Sequence, residues 1–117
     1  MKKIFHLGTC STCQRILNEW NAGSEYELQD IKTEKMTAEQ VDEMIRLSGS
    51  AESLFSKRAM KYRGMGLHEK TLSEADYRQL IIDEYTFLKR PVLVDGDAIF
   101  VGNSKKVVAA AKDHLGG

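Results

Sequence analysis

Proline is almost missing from this 117-residue chain; Pro91 is the only one. Cysteine is scarce too, present only as Cys10 and Cys13. Two cysteines cannot build a disulfide framework, and alone they cannot complete a four-ligand zinc site. His6, His68 and His114 are scattered and stand in no metal spacing, so no metal and no bound cofactor is expected. Neither sign of charge is in excess: 17 Lys and Arg balance 17 Asp and Glu. That balance argues against direct nucleic-acid binding and against an anionic membrane surface. No run approaches the roughly 18 apolar residues of a membrane span. The apolar stretch Ile4 to Leu7 is shorter than a signal-peptide core of roughly 7–15 residues. The expectation is a cytoplasmic protein whose thiols are kept reduced. Its length suits one domain over residues 1–117, and 42% hydrophobic residues suit a globular one.

The hydrophobic pattern alternates between two periods. Lys3 to Leu7 reads as a buried strand, ended by Gly8-Thr9. Cys13, Ile16, Leu17 and Trp20 then lie on one helical face, with Ser11 or Thr12 as cap and Gly23 as terminator. Tyr26, Leu28 and Asp30 alternate with Glu25, Glu27 and Gln29 in a strand running to Ile31. Thr37 and Gln40 form a capping box before Val41, Met44, Ile45 and Ser48, and Gly49 stops that helix. Ser50 to Phe55 reads as a short helical turn, and Phe55 to Leu67 as loop. Thr71 and Glu74 open a further helix facing inward with Tyr77, Leu80, Ile81 and Tyr85. After Pro91 come a strand at Val92-Leu93-Val94, a turn at Asp95-Gly96-Asp97 and a strand at Ala98 to Val101. Gly102-Asn103-Ser104 leads to a last helix with Val107, Val108, Ala111 and Leu115 inward. This order, β-α-β, helices, β-β-α, predicts one α/β domain with a helical insertion at about 37–85.

Cys10-Ser11-Thr12-Cys13 falls between a strand and a helix N-terminus. Unpaired amides and the positive end of the helix dipole favour a thiolate there. Cys10, ahead of the helix, would be the exposed nucleophile. Cys13, one turn inside on the apolar face, is better suited to resolve a mixed disulfide. A structural disulfide, a half-site for metal shared with another chain, and coincidence are the alternatives. A loop this short would gain only about 2 kcal/mol from a disulfide before strain, and redox-active thiols are the favoured reading.

Pro91 opens a later strand. Base rates favour an ordinary trans bond, although cis bonds are almost confined to proline. Arg90 beside it is a permanent, planar charge. Between Glu52 and Glu69 lie Lys57, Arg58, Lys61 and Arg63 with no acid. That stretch is either an anion site or a solvated loop.

With these residues in view, the chain resembles the arsenate reductase (ArsC) family of the thioredoxin-fold superfamily, which includes the Spx-type redox-sensing regulators. The resemblance rests on Gly8-Thr9-Cys10-Ser11-Thr12-Cys13-Gln14-Arg15, on Leu54-Phe55-Ser56-Lys57-Arg58 leading to Tyr62-Arg63-Gly64-Met65-Gly66-Leu67, and on Leu88-Lys89-Arg90-Pro91-Val92-Leu93-Val94 followed by Val101-Gly102. It implies a thioredoxin/glutaredoxin-like fold with a four-stranded mixed sheet. It implies Cys10 as catalytic thiolate, Arg90 stabilising negative charge beside it, Cys13 as second catalytic thiol, and Pro91 in cis. Ser11, Thr12, Arg58 and Pro91 are the implied substrate-binding residues. The implied substrate is a small oxyanion or a thiol or disulfide, with glutathione or thioredoxin/glutaredoxin as electron donor; a redox partner protein is the other implied contact. Two positions depart from the glutathione-coupled arsenate reductases. Ser56 stands where a second arginine is expected, and Asn103 where a third is expected, with Arg58 and Lys105 two residues beyond each. An arsenate-like dianion loses charge-assisted bonds as a result. Cys13 matches instead the Spx-type pattern, which implies a redox-switched regulatory binding protein as the alternative.

Overall fold

A computed structural model describes residues 1–116. In chain order the elements are β1 (Lys2–His6), α1 (Ser11–Trp20), β2 (Glu27–Asp30), α2 (Ala38–Ser48), α3 (Met60–Gly64), α4 (Glu74–Asp83), β3 (Val92–Asp95), β4 (Ala98–Val101) and α5 (Lys105–Gly116). Short 3₁₀ turns occupy Glu52–Leu54, Leu67–Glu69 and Tyr85–Phe87. The chain forms two compact units, one from Met1–Lys35 and the segment from Arg90 onward, the other from Met36–Lys89. The insertion expected at about 37–85 falls within the second.

The first unit is a four-stranded mixed sheet in the order β2-β1-β3-β4. β1 runs parallel to β2 and antiparallel to β3, and β3 runs antiparallel to β4. A parallel pair cannot be closed by a tight turn, so α1 supplies the crossover from β1 to β2. The β3–β4 pair is a hairpin, and its turn uses Gly96 at φ 60°, a left-handed conformation that glycine adopts without strain. Ile4 and Leu93 pack with Ile16, Trp20, Val108 and Ala111, joining the sheet to α1 and α5. Val92, Leu93 and Val94 are all buried, which explains their unbroken apolar run in a central strand.

The second unit is helical. Thr37 and Gln40 make the expected capping box on α2, and Gly49 ends it at φ 97°. Phe55 is the hub, with the rings of Tyr77 and Phe87 both 4.9 Å away and Tyr62 at 5.8 Å. A short bridge pairs Phe55 with Leu88, and Lys89 N–H donates to the Leu54 carbonyl at 2.8 Å.

Several local expectations are corrected. α1 is capped by neither Ser11 nor Thr12; Cys10 is the N-cap residue, and Asn21, at φ 46°, ends the helix before Gly23. The inward face of β2 is Gln29, fully buried, while Leu28 is 55% exposed. β2 is an edge strand, and its buried amide is satisfied by Lys3 Nζ at 2.9 Å and by the Glu34 carbonyl at 3.1 Å. The stretch read as loop contains α3, which buries none of its residues and so leaves no apolar period. The capping box of α4 is Ser73 with Asp76. Glu74 reaches away from its own helix, and its carboxylate accepts the Ala51 and Glu52 N–H groups at 2.6 and 3.2 Å. Tyr85 lies past α4, in the following 3₁₀ turn.

Candidate active site

The first unit gathers the cysteine pair, Arg90 and Pro91. β1 delivers the chain to the tight turn at Gly8-Thr9, closed by Cys10 N–H donating to the Leu7 carbonyl at 3.0 Å. Cys10 is extended there (φ −94°, ψ 111°), and its carbonyl accepts the Gln14 N–H at 3.1 Å. No side-chain oxygen caps the helix, so the first-turn amides of α1 are left for the cysteine sulfur. Ser11 is exposed and Thr12 half-buried. Both cysteines are free thiols, Cys10 half-buried and Cys13 buried.

The two thiols are pushed apart. Burial alone would raise the Cys10 value. The Cys13 backbone amide, the Cys13 side chain, the Arg90 guanidinium and the Thr12 amide oppose burial and bring Cys10 below the ordinary thiol value. Cys13 moves the other way. Burial, seconded by the neighbouring Cys10 charge, pushes it up to about 11, against the Leu7 amide and Arg90. One turn of helix therefore carries an accessible thiol poised to ionise and a buried thiol that keeps its proton.

Arg90 is half-buried, and its bond to Pro91 is cis, where base rates favour trans. Pro91 is buried, and its carbonyl accepts the Gly102 N–H at 3.0 Å. Arg58 belongs to the second unit, in an exposed turn between the Phe55 bridge and α3. The basic stretch around it is partly neutralised from outside: Lys57 pairs with Glu52 at 3.2 Å and Lys61 with Glu84 at 2.9 Å. Arg58 and Arg63 remain exposed. Among the described residues no group of His, Cys, Asp or Glu is placed to hold a metal ion, and no helix is long and apolar enough to cross a membrane.

Two contributors escaped the sequence reading. Gln14 Nε2 donates to the Leu7 carbonyl at 3.2 Å and lies 3.4 Å from His6 Nδ1, fastening the end of β1 to the first turn of α1. Its only sequence signal is its place one helical turn after Cys10. Gly8 lies close against the Asp30 carboxylate, which would have to swing aside for a Cβ there. That approach crosses between neighbouring strands and leaves no local pattern.

A strand–cysteine–helix junction facing a cis-proline strand in a mixed β2-β1-β3-β4 sheet is a thioredoxin-like arrangement. Comparison with known proteins agrees. Over 94% of its length the chain superposes on the arsenate reductase from Vibrio cholerae, covering 96% of that chain with a TM-score of 0.77 at 14% identity. It matches an arsenate reductase (ArsC) related protein from Brucella melitensis over 93% of its length and 92% of that chain, with a TM-score of 0.71 at 22% identity. At the sequence level it is 30% identical over 98 residues, 81% of each chain, to the uncharacterized protein YusI of Bacillus subtilis (strain 168).

Residues 5–111 match the ArsC family, and the chain belongs to it.

Proposed function

We propose that the protein is a cytoplasmic thiol oxidoreductase in which Cys10 is the nucleophile. The observation that carries this reading is the opposed shift of the two thiols, Cys10 lowered beside Arg90 and Cys13 raised by burial. In the disulfide form of the reaction, Cys10 thiolate attacks one sulfur of the substrate and expels the other as a thiolate. Cys13 then loses its proton and attacks Cys10 Sγ. The second substrate thiolate leaves, and a Cys10–Cys13 disulfide remains. Glutathione, or a thioredoxin or glutaredoxin, returns the two electrons. With an arsenate-like oxyanion, Cys10 first forms a sulfur–arsenic bond and releases water. A second thiol, Cys13 or glutathione, then attacks Cys10 Sγ, and two electrons pass to arsenic. Arg90 stabilises the negative charge at Cys10, and the amides of Ser11 and Thr12 with Pro91 shape the substrate end.

Ser56 and Asn103, where the glutathione-coupled arsenate reductases carry arginines, support a second reading. In it the Cys10–Cys13 disulfide is a Spx-type switch that alters affinity for a regulatory partner protein. An activity panel separates the two, with arsenate and small disulfides as substrates and glutathione and thioredoxin as donors. Turnover that survives Cys13→Ser but not Cys10→Ser supports an enzyme resolved by external thiol. Absence of turnover, with partner capture only from oxidised protein, supports the switch.

A further inference from the structure

β1 and β4 are each antiparallel to β3, so they run in the same direction. α1 follows β1 and α5 follows β4. Both helices therefore begin at the same end of the sheet, the end where Cys10 caps α1. Between them lies a cleft of about 340 Å³. Pockets for small molecules run from about 300 to 1,000 Å³. Val108 and Ala109 lie along the cleft on α5, Arg15 and Glu19 flank it from α1, and Lys105 and Lys112 flank it from α5.

Some surface charges are tied up in pairs. Arg78 closes on Asp42 at 2.6 Å, Arg46 on Glu43 at 2.7 Å and Lys61 on Glu84 at 2.9 Å. Arg15, Glu19, Lys105, Lys112 and the adjoining Asp113 form no ion pair with one another or with any other described residue. The cleft is left open with its charges available to a ligand.

We propose that this cleft docks an extended peptide segment carrying spaced acidic residues, such as would follow the reacting cysteine of a protein disulfide substrate. The proposal rests on the thiol-exchange reading for its purpose, and on the cleft for its geometry. Arg15 lies about 7.5 Å along α1 from Cys10, and Lys112 about 10 Å beyond Lys105. An extended chain advances about 3.3 Å per residue. A cysteine held at Cys10 thus brings its second following residue level with Arg15, and two acids three residues apart match the spacing of Lys105 and Lys112. The first turn of α5, where Lys105 stands, adds the positive end of that helix. Glu19 and Asp113 repel an unbroken acidic run and favour one that is spaced.

The test uses the full reduced protein, labelled with ¹⁵N, and the unreactive hexapeptide Ser-Gly-Asp-Gly-Gly-Asp, with serine in the cysteine position. The expected result is a titration that moves the amide signals of residues 15–19 and 105–112. The counterpart with lysine for both aspartates binds at least about tenfold more weakly. Arg15→Glu with Lys105→Glu, checked as folded by its backbone spectrum, loses the discrimination. Equal binding of the two peptides to the unaltered protein, or shifts confined to other residues, overturns the proposal. A parallel arm follows Cys10 mixed-disulfide formation with bis(2-hydroxyethyl) disulfide. Failure there defeats the thiol-exchange reading and leaves the titration to decide the groove on its own.

Discussion

Cys10 and Cys13 occupy the cap and the first turn of the same helix, yet their thiols shift in opposite directions. The difference lies in what surrounds each sulfur. At Cys10 amides and a guanidinium outweigh burial, whereas at Cys13 burial and the Cys10 charge outweigh the Leu7 amide and Arg90. Near neutral pH, iodoacetamide is expected to place one label on the reduced native protein, at Cys10, with Cys13 reacting only after denaturation. Peptide mapping by mass spectrometry reads the outcome.

Cys13 also sets an alkaline limit. Its raised value means that its contribution to stability is fully present below the unfolded thiol value of about 8.5 and is lost as pH rises toward about 11. Above the lower value the unfolded chain ionises while the folded one holds its proton, so unfolding is favoured. Denaturant midpoints should fall across that window, and Cys13→Ala should flatten the fall.

Arg90 acts on Cys10 through charge. Arg90→Gln should raise the Cys10 value and slow its alkylation near neutral pH by about two- to tenfold. Arg90→Lys should recover much of the rate, because the charge is kept. A rate in Arg90→Gln equal to that of the unaltered protein would show that the amides alone hold the thiolate.

Trp20 Nε1 donates to the Val108 carbonyl at 3.1 Å in a buried contact that joins α1 to α5. Trp20→Phe keeps most of the ring and removes the donor. It should cost about 1 kcal/mol, measured by urea unfolding with an unchanged slope.

Asp95 Oδ2 is shared by the Tyr26 hydroxyl and His114 Nε2, each at 2.8 Å. The His114 bond, then the Tyr26 bond, hold the carboxyl below the usual carboxylate range. On the other side, burial and then the Asp95 bond push Tyr26 up to about 12. A depressed carboxyl contributes stability that is present above its unfolded value, about 3.9, and is lost as pH falls through its folded value. Asp95→Asn should therefore weaken the acid dependence of Tm and lower the Tyr26 value, as read by ultraviolet titration of the phenol.

Features carried by period and punctuation could be read from the chain itself. β1, the buried face of α1, the capping box of α2 and the β3–β4 hairpin all follow from them. Features carried by distant partners could not. Glu74 accepts the distant Ala51 and Glu52 amides, and the capping box of α4 is made by Ser73 and Asp76. Gln29 turns inward because Lys3 and the Glu34 carbonyl satisfy it. α3 exposes every side chain or half-buries it, and so has no hydrophobic signature. At the site, the cysteine spacing before a helix pointed to the two free thiols that the fold places at the start of α1. The Gly8–Asp30 approach and the Gln14 bridge depend on tertiary contacts that spacing does not encode.

The most direct measurement is the pH dependence of Cys10 alkylation in the reduced protein, with Cys13→Ser as background to isolate one thiol. A midpoint below about 8.5, moving upward in Arg90→Gln, is the predicted result. A midpoint at or above the value of free cysteine would contradict the assignment of Cys10 as the nucleophile.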